Sequence, residues 1–318
     1  MNIDILLPHF HGAMTGGNLY NRKLITYLRK TCQWDIREHS IPRGRIFKTR
    51  NFGSSAGILL VDSILNPLID LDKDQRCRIA ICHGPLGEAL LGENLSHYDF
   101  SVFPGHSLVE DLRKHRGEIP KHQVIAPGID HDLFHGVPLD RPRNLWVSVG
   151  SVLPEKGYHI VLEAMKSLPG PWSYHIIGNK NLCPTYADEL KVRVEQLKLT
   201  TRIKFHGELD QQQVAQWLRR AGLYIAAAPY ESHGIAIQEA MAVGLPIMNC
   251  AEGAPRSYLA EHHGWHVKAS APVVRRFLQE WLAERVYCDP SQSSWASRTW
   301  ADVGSDWLNF LESLDGEG

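Results

Sequence analysis

Short apolar runs recur along the chain, and amphipathic stretches follow most of them. The first run is residues 3–7, after which Leu19, Leu24, Ile25 and Leu28 recur at helical spacing. An apolar run of this length predicts a buried strand, and apolar positions three and four residues apart predict a helix. The alternation continues through the chain and therefore predicts an α/β fold.

The alternation restarts at residues 145–150, directly after a segment rich in charge and proline at residues 141–144. Such a segment is typical of a linker between domains. We therefore predict one domain at residues 1–142 and a second at residues 143–290. Residues 291–318 are predicted to form a helix with one broad apolar face. That face consists of Trp295, Val303, Trp307, Leu308 and Leu311.

Two glutamates flank the predicted start of a helix in the second domain. Residues 223–228 are an apolar run that predicts a buried strand, and Glu231 follows in the loop. Gly234 permits a tight turn into the next helix, which carries Glu239. The backbone N–H groups of Gly234 and Ile235 would provide a seat for a phosphate, with a carboxylate on each side for sugar hydroxyls. This arrangement suits a nucleotide sugar, although two glutamates also occur on strand–loop–helix units of many other α/β proteins.

Three segments resemble motifs of one enzyme family. Residues 231–246, E-S-H-G-I-A-I-Q-E-A-M-A-V-G-L-P, resemble the E-x(7)-E signature of retaining GT-B glycosyltransferases, above all family 4. Residues 149–157, V-G-S-V-L-P-E-K-G, resemble its V-G-R-L-x-x-x-K-G, and residues 124–130 resemble the P-N-G-I-D or P-P-G-V-D element that closes the first domain. The resemblance implies two Rossmann-like domains that face a cleft, with the donor on the second. It also implies that residues 291–318 pack back toward the first domain.

The resemblance assigns a role to each matching residue of the second domain. Glu239 would bind the donor ribose, Glu231 would orient the transferred hexose, and Lys156 would bind the diphosphate. The N–H groups of Gly234 and Ile235 would hold phosphate or sugar hydroxyls. In this scheme positioning and charge stabilisation accelerate the reaction, and no metal or other cofactor is required.

Two residues depart from the family pattern. Ser151 stands where the family has an arginine, so one bidentate donor to the diphosphate is lost. Either another cation supplies the charge, or the donor is bound differently, or activity is weak. His233 replaces a common phenylalanine and would lie next to the transferred sugar.

The first domain offers a glycine loop and a histidine as candidates. In the family, a loop matching Gly16 and Gly17 faces the cleft and touches the donor's phosphates and sugar; the alternative is a plain strand-to-helix turn. Asn18 and Leu19 stand where a P-loop requires Lys and Ser/Thr, which excludes that motif. His83 follows an apolar run, at the strand edge where α/β sheets place ligands. The resemblance puts it on the acceptor side of the cleft, and a structural histidine is the alternative.

Composition excludes several classes of function. The chain has 318 residues, of which 43% are hydrophobic and 22% charged, and a formal net charge of −1. This balance is typical of a globular protein and argues against a nucleic-acid binder. Six cysteines without metal spacing predict reduced thiols in the cytoplasm, and we predict neither a signal peptide nor a transmembrane helix. The basic segment Arg37 to Arg50 is either a solvated loop or a peripheral contact with the anionic inner face of a membrane.

The sequence thus predicts a retaining glycosyltransferase of glycan or glycoconjugate biosynthesis. It would move a hexosyl unit from a UDP- or GDP-sugar to a hydroxyl of a sugar, a lipid-linked molecule or a small molecule. Two alternatives stay open. A GT-B nucleotide-sugar epimerase would convert the donor without an acceptor, and a non-catalytic nucleotide-sugar binder would bind nucleotide without turnover.

Overall fold

A computed structural model describes most of the chain. The described residues are 1–9, 15–42, 46–49, 57–71, 74–84, 95–116, 119, 121–136, 140–259, 263–288 and 298–315. Their contacts divide the chain into two compact units. The first takes its described residues from 1–12, 17–128 and 298–318, and the second from 13–16 and 129–297.

The first unit contains a parallel sheet with helices around it. Its strands are β1 (Asn2–Pro8), β2 (Asp35–Ile41), β3 (Phe47–Lys48), β4 (Ile58–Asp62), β5 (Ile69–Asp70), β6 (Cys77–Ile81), β7 (Phe100–Phe103) and β8 (His122–Val124). Its helices include α1 (Gly16–Thr31) and α2 (His106–Arg116), and a 3₁₀ helix spans Ser63–Leu68. Within the described residues the main sheet has six strands in the order β2-β1-β4-β6-β7-β8. Every residue of β4 is buried, as expected for a parallel strand covered on both faces.

The second unit repeats this architecture. Its strands are β9 (Leu145–Val149), β10 (Ser173–Ile177), β11 (Ile203–Gly207), β12 (Leu223–Ala226), β13 (Tyr230–Glu231), β14 (Ile247–Asn249), β15 (Glu252–Gly253) and β16 (Gly264–His266). Its helices are α3 (Tyr158–Met165), α4 (Pro184–Gln196), α5 (Gln211–Arg220), α6 (Ile235–Ala242), α7 (Pro255–Tyr258) and α8 (Ala271–Leu282), with a 3₁₀ turn at Pro154–Lys156. The described main sheet runs β11-β10-β9-β12-β14-β16. Numbered within the sheet alone, this is the 3-2-1-4-5-6 order of Rossmann folds.

A terminal helix, α9 (Trp300–Asp315), belongs to the first unit. Trp307 is fully buried, and its indole N–H donates to the Tyr20 hydroxyl at 2.7 Å. That hydroxyl in turn donates to the carbonyl of Ile125 at 2.9 Å. Gly304 lies so close to the Tyr27 ring that a Cβ would overlap it. Val303, Trp307 and Leu311 are buried as predicted, Leu308 is half-buried, and Trp295 lies outside the described residues.

The segment from residue 129 to 142 groups with the second unit, whereas the sequence predicted that it belongs to the first domain. The guanidinium of Arg141 donates to the carbonyls of Leu218 and Ala221, each at 3.0 Å, and to that of Val243. Arg219 donates to the carbonyl of Leu133. The Arg141 bonds satisfy carbonyls at the ends of α5 and α6. Together with the Arg219 bond they attach the segment to the second unit.

Candidate functional site

The turn that follows β9 is fixed against the end of β12. Gly157 has a left-handed φ of +68°, and a Cβ there would overlap the carbonyl of Ala227. Glycine is therefore needed for both the conformation and the close approach. The hydroxyl of Tyr158, the next residue, donates to the carbonyl of Gly150 at 2.8 Å. This bond ties the two ends of the loop together and so holds Lys156 in place.

Lys156 and Glu231 meet at the carboxyl edge of this sheet. The Lys156 Nζ lies 2.5 Å from the Glu231 Oε1, and their side chains are 29% and 20% exposed. The two residues follow β9 and β12, which are neighbours at the point where the strand order reverses. In open α/β sheets this topological switch point is where ligands bind. An ammonium and a carboxylate are thus paired where the fold favours a ligand.

The backbone of Glu231 is held by a small second sheet. β13 pairs with β15, and the carbonyl of Glu231 accepts from the Ala254 N–H at 3.1 Å. Gly253 has a φ of +87° and lies against that carbonyl, where a Cβ would overlap it. Glu231 is therefore presented by a strand rather than by a loose loop.

A left-handed glycine begins α6. Gly234 has φ +83° and ψ +56°, and its carbonyl accepts from the N–H groups of Ile237 and Gln238. The hydroxyl of Tyr258 donates to the carbonyl of His233 at 2.6 Å. The N–H groups of Gly234 and Ile235 lie at the helix start, where a helix supplies no intrahelical acceptor. The geometry thus gives α6 a fixed N-terminus that suits an anion.

We expect Gly234→Ala to damage this site more than an ordinary left-handed glycine replacement would. A Cβ at Gly234 would lie 2.8 Å from the Tyr258 hydroxyl, whereas one at Gly170, with φ +76°, meets nothing within 4 Å. Gly170→Ala should lower the free energy of unfolding by about 1–2 kcal/mol, because alanine disfavours this conformation. Gly234→Ala should cost a further ~1–3 kcal/mol from the crowding. Urea denaturation of both variants checks this, and equal losses would contradict the crowding.

Three further residues predicted for the site are buried. Ser151, His233 and Glu239 are 6%, 8% and 4% exposed. Burial, together with the Glu231 carboxylate, raises the pKa of Tyr158 and Tyr258 well above the usual value, so both hydroxyls stay protonated as donors. Neither tyrosine was predicted from the sequence as a site residue, since the role of each depends on a carbonyl partner that no local pattern reveals.

In the first unit, Gly17 and His83 lie together. Gly16 and Gly17 begin α1, and a Cβ on Gly17 would lie 2.9 Å from the His83 Cδ2. The His83 Nε2 lies 2.9 Å from the Asn21 Oδ1, and the Asn21 Nδ2 donates to the Asp62 Oδ2 at 2.8 Å. Burial lowers the pKa of His83, and the nearby Asp62 carboxylate opposes this effect. Asn21 and Asp62 were missed from the sequence, because they lie 41 residues apart and meet only through the fold.

The described residues hold neither a metal cluster nor a membrane span. No three His, Cys, Asp or Glu side chains within them converge as a metal site would require. No helix among them is both long enough and apolar enough to span a bilayer. The basic segment Arg37 to Arg50 was predicted as a solvated loop or a membrane contact, but residues 37–41 belong to strand β2, which pairs with β1. Arg37 is paired with Asp4 and Asp35 at 3.3 and 3.5 Å, while Arg43, Arg45 and Arg50 lie outside the described residues.

Comparison with known proteins points to one family. Residues 132–289 match the family Glycosyl transferases group 1. A D-inositol 3-phosphate glycosyltransferase of Xylanimonas cellulosilytica is 26% identical, over 48% of this chain and 40% of that protein. The lipopolysaccharide glucosyltransferase WaaG of Escherichia coli is 27% identical, over 61% of this chain and 55% of that protein. The matches therefore span only about half the length of these relatives.

Solved structures resemble the whole chain. Sucrose-phosphate synthase from Thermosynechococcus elongatus has a TM-score of 0.73 at 18% identity, over 98% of this chain and 94% of that chain. Anabaena HepE, solved in complex with UDP-glucose, has a TM-score of 0.73 at 14% identity, over 98% of this chain and 100% of that chain. At these identities the likeness shows the fold alone. It confirms the predicted GT-B fold of two Rossmann-like units.

Proposed function

We infer, from a glycosyl transferases group 1 domain at residues 132–289, that this chain is a glycosyltransferase. It moves a hexosyl unit from a nucleotide diphosphate sugar to an acceptor hydroxyl, in the manner of family 4 and with retention. The observation that supports this best is the pairing of Lys156 with Glu231 beside the N-terminus of α6. A cation, a helix N-terminus and a carboxylate are the groups that a diphosphate joined to a sugar requires.

Each side chain of the site has a place in this proposal. Lys156 binds the diphosphate, and the N–H groups of Gly234 and Ile235 bind phosphate or sugar hydroxyls. Glu239 binds the ribose, and Glu231 accepts hydrogen bonds from the hexose. His233 lies directly before Gly234, the N-cap of α6, where it contributes to selection of the sugar. Since HepE was solved with UDP-glucose, a UDP-hexose is the donor to test first and a GDP-hexose the second.

Retention follows a front-face course in this proposal. The acceptor oxygen forms a bond to the anomeric carbon while the bond from that carbon to the β-phosphate oxygen breaks. A β-phosphate oxygen takes the proton of the acceptor hydroxyl. Lys156 and the N-terminus of α6 stabilise the charge that grows on the leaving diphosphate. A glycosidase-like mechanism would need a carboxylate on each face of the sugar, and this proposal includes no such pair.

A second candidate function, non-catalytic nucleotide-sugar binding, is favoured by one observation. Ser151 is a buried hydroxyl at the position of the family's arginine, and the charge of Lys156 is already balanced by Glu231. The leaving diphosphate then receives less positive potential than in the family pattern. A chain that only binds would show nucleotide affinity and no turnover with any acceptor.

We expect Glu239→Ala to weaken donor binding by about 10- to 100-fold, because hydrogen bonds to a charged group contribute about 1.5–3 kcal/mol. The measurement is calorimetric titration of the protein with UDP-, GDP- and ADP-hexoses. Gln238→Ala is the matched control, since Gln238 is the neighbouring residue of α6 and is buried to a similar extent, 8% against 4%. Glu239→Ala should lose affinity for one nucleotide series, whereas Gln238→Ala should keep it.

Two outcomes of this titration are decisive. Absence of binding by every nucleotide sugar would overturn the donor site, and with it the proposed function. Binding without turnover, across sugar, lipid-linked and small-molecule acceptors, would favour the non-catalytic alternative. Where turnover occurs, NMR of the product's anomeric proton reports whether configuration is retained.

A further inference from the structure

Three rings from three elements of the second unit form a cluster beside the edge strand of its sheet. The centroid of the Trp217 ring, on α5, lies 4.4 Å from that of His175 on β10 and 4.7 Å from that of His206 on β11. The two imidazole planes are nearly parallel, at 21°. The Nδ1 of His175 lies 2.8 Å from the Nε2 of His206, so the two rings share a hydrogen bond.

A bulge in β11 brings His206 to this position. The strands β10 and β11 pair in register as far as Ile176 and Phe205, whereas the next residue, Ile177, pairs with Gly207. His206 is therefore the extra residue of a bulge, a feature that redirects side chains and interrupts strand pairing. The contacts of its ring with the two other rings connect this bulge to the neighbouring strand and to α5.

The nitrogen-to-nitrogen contact limits the number of protons that the two histidines hold. A hydrogen bond between two imidazole nitrogens needs one N–H group and one bare nitrogen. A single imidazolium is compatible with the bond, since it donates to the bare nitrogen of its neutral partner. Two imidazolium rings would place two N–H groups and two like charges against each other. The two rings therefore titrate as a coupled pair, and the second proton breaks the bond.

The surroundings of the pair disfavour positive charge on either ring. The pKa of His175 is lowered from 6.5 to about 4, chiefly by burial and then by the positive charges of neighbouring groups. These groups are His206 and Lys204 of β11 and Arg220 of α5. Burial and Lys204 also lower the pKa of His206. On the other side of β10, strand β9 places the apolar Val147 next to His175.

We propose that His175 and His206 form an acid-sensitive latch, which attaches the bulge of β11 to β10 and α5 at neutral pH and releases it in mild acid. The unfolded chain binds protons on these rings below pH ~6.5, whereas the folded chain excludes them. The stability that the latch contributes is therefore present above pH ~6.5 and is lost as the pH falls toward the folded pKa of about 4. Neither histidine belongs to the proposed donor site, so the latch acts whether or not the chain transfers a sugar.

Hydrogen exchange at pH 7 and pH 5, followed by mass spectrometry, tests the latch in the unmodified protein. The exchange rates are expressed as protection factors, which remove the pH dependence of intrinsic exchange. Protection of β11 and the first turn of α5 should fall by about 10- to 30-fold at pH 5, the factor expected from proton uptake by His175. Protection of β4, in the first unit, should fall clearly less. Unchanged protection of β11, or an equal fall in β4, would overturn the proposal.

His175→Gln tests whether the histidine pair causes this loss of protection. A neutral amide bonds to the ring of His206 at either pH, so most of the pH dependence should disappear. His159→Gln is the matched control, since His159 is an exposed histidine of the same unit whose Nδ1 lies 2.9 Å from the Tyr186 hydroxyl. It should keep the ratio of the unmodified protein. The same ratio in His175→Gln would overturn the latch, and a variant that failed to fold would leave the unmodified protein to decide.

Discussion

Lys156→Met is expected to lower kcat/KM for hexosyl transfer by about 10²- to 10³-fold, the usual loss when one stabilising group is removed from developing negative charge. The effect is large because Ser151 supplies no second cation of the kind that the family pattern has. Steady-state kinetics with a UDP-hexose measure the loss of kcat/KM. Titration with UDP reports how much of that loss is due to weaker binding. Lys166→Met is the control, since Lys166 is an exposed lysine of the same unit. An equal effect in both variants would contradict the assignment.

The ion pair adds a test of the same assignment. Because Glu231 holds the Lys156 Nζ at 2.5 Å, a diphosphate must compete with that carboxylate for the ammonium. If Lys156 binds the diphosphate, Glu231→Gln should tighten UDP binding, and that gain should vanish when Lys156→Met is also present. Groups in direct contact are expected to show such non-additivity. Additive effects would mean that UDP does not use Lys156.

Trp307→Ala is expected to lower the free energy of unfolding of the first unit by about 3–5 kcal/mol, the cost of truncating a large buried aromatic side chain. Trp307 is fully buried on α9, and its indole N–H donates to the Tyr20 hydroxyl. That hydroxyl donates in turn to the carbonyl of Ile125. Trp307→Phe keeps an aromatic ring and should cost clearly less. Hydrogen exchange of β1 and β4 amides measures the stability of this unit separately. Unchanged exchange in Trp307→Ala would show that α9 contributes little.

Features with a local cause were predictable from the sequence. The alternation of apolar runs and helical spacing predicted both α/β units, because a parallel strand that is covered on both faces is rich in apolar residues. The start of α6 was predictable from Gly234, since a left-handed residue before a helix favours glycine. Both predictions depended only on residues close together in the chain.

Features that depend on distant partners were not predictable in this way. The site tyrosines Tyr158 and Tyr258 are recognisable only through the carbonyls they bond, and Asn21 becomes relevant only when α1 brings it between Asp62 and His83. The predicted boundary between the two domains, at residue 142, lies later in the chain than the observed one for a similar reason. Residues 141–144 were predicted as the linker, yet Arg141 bonds to helix ends 77 or more residues further along and so attaches its segment to the second unit.

The route of the chain through the two units imposes an order on folding. From residue 129 to 297 the second unit is continuous, so it contains all its own partners before residue 298 is synthesised. The first unit is interrupted by that whole segment, and its bond between Tyr20 and Trp307 joins residues 287 apart. Closing such a long loop is slow and costs entropy that only the final contacts offset. The native contacts of the first unit can therefore be completed only after the whole second unit has been synthesised, because α9 follows it in the chain.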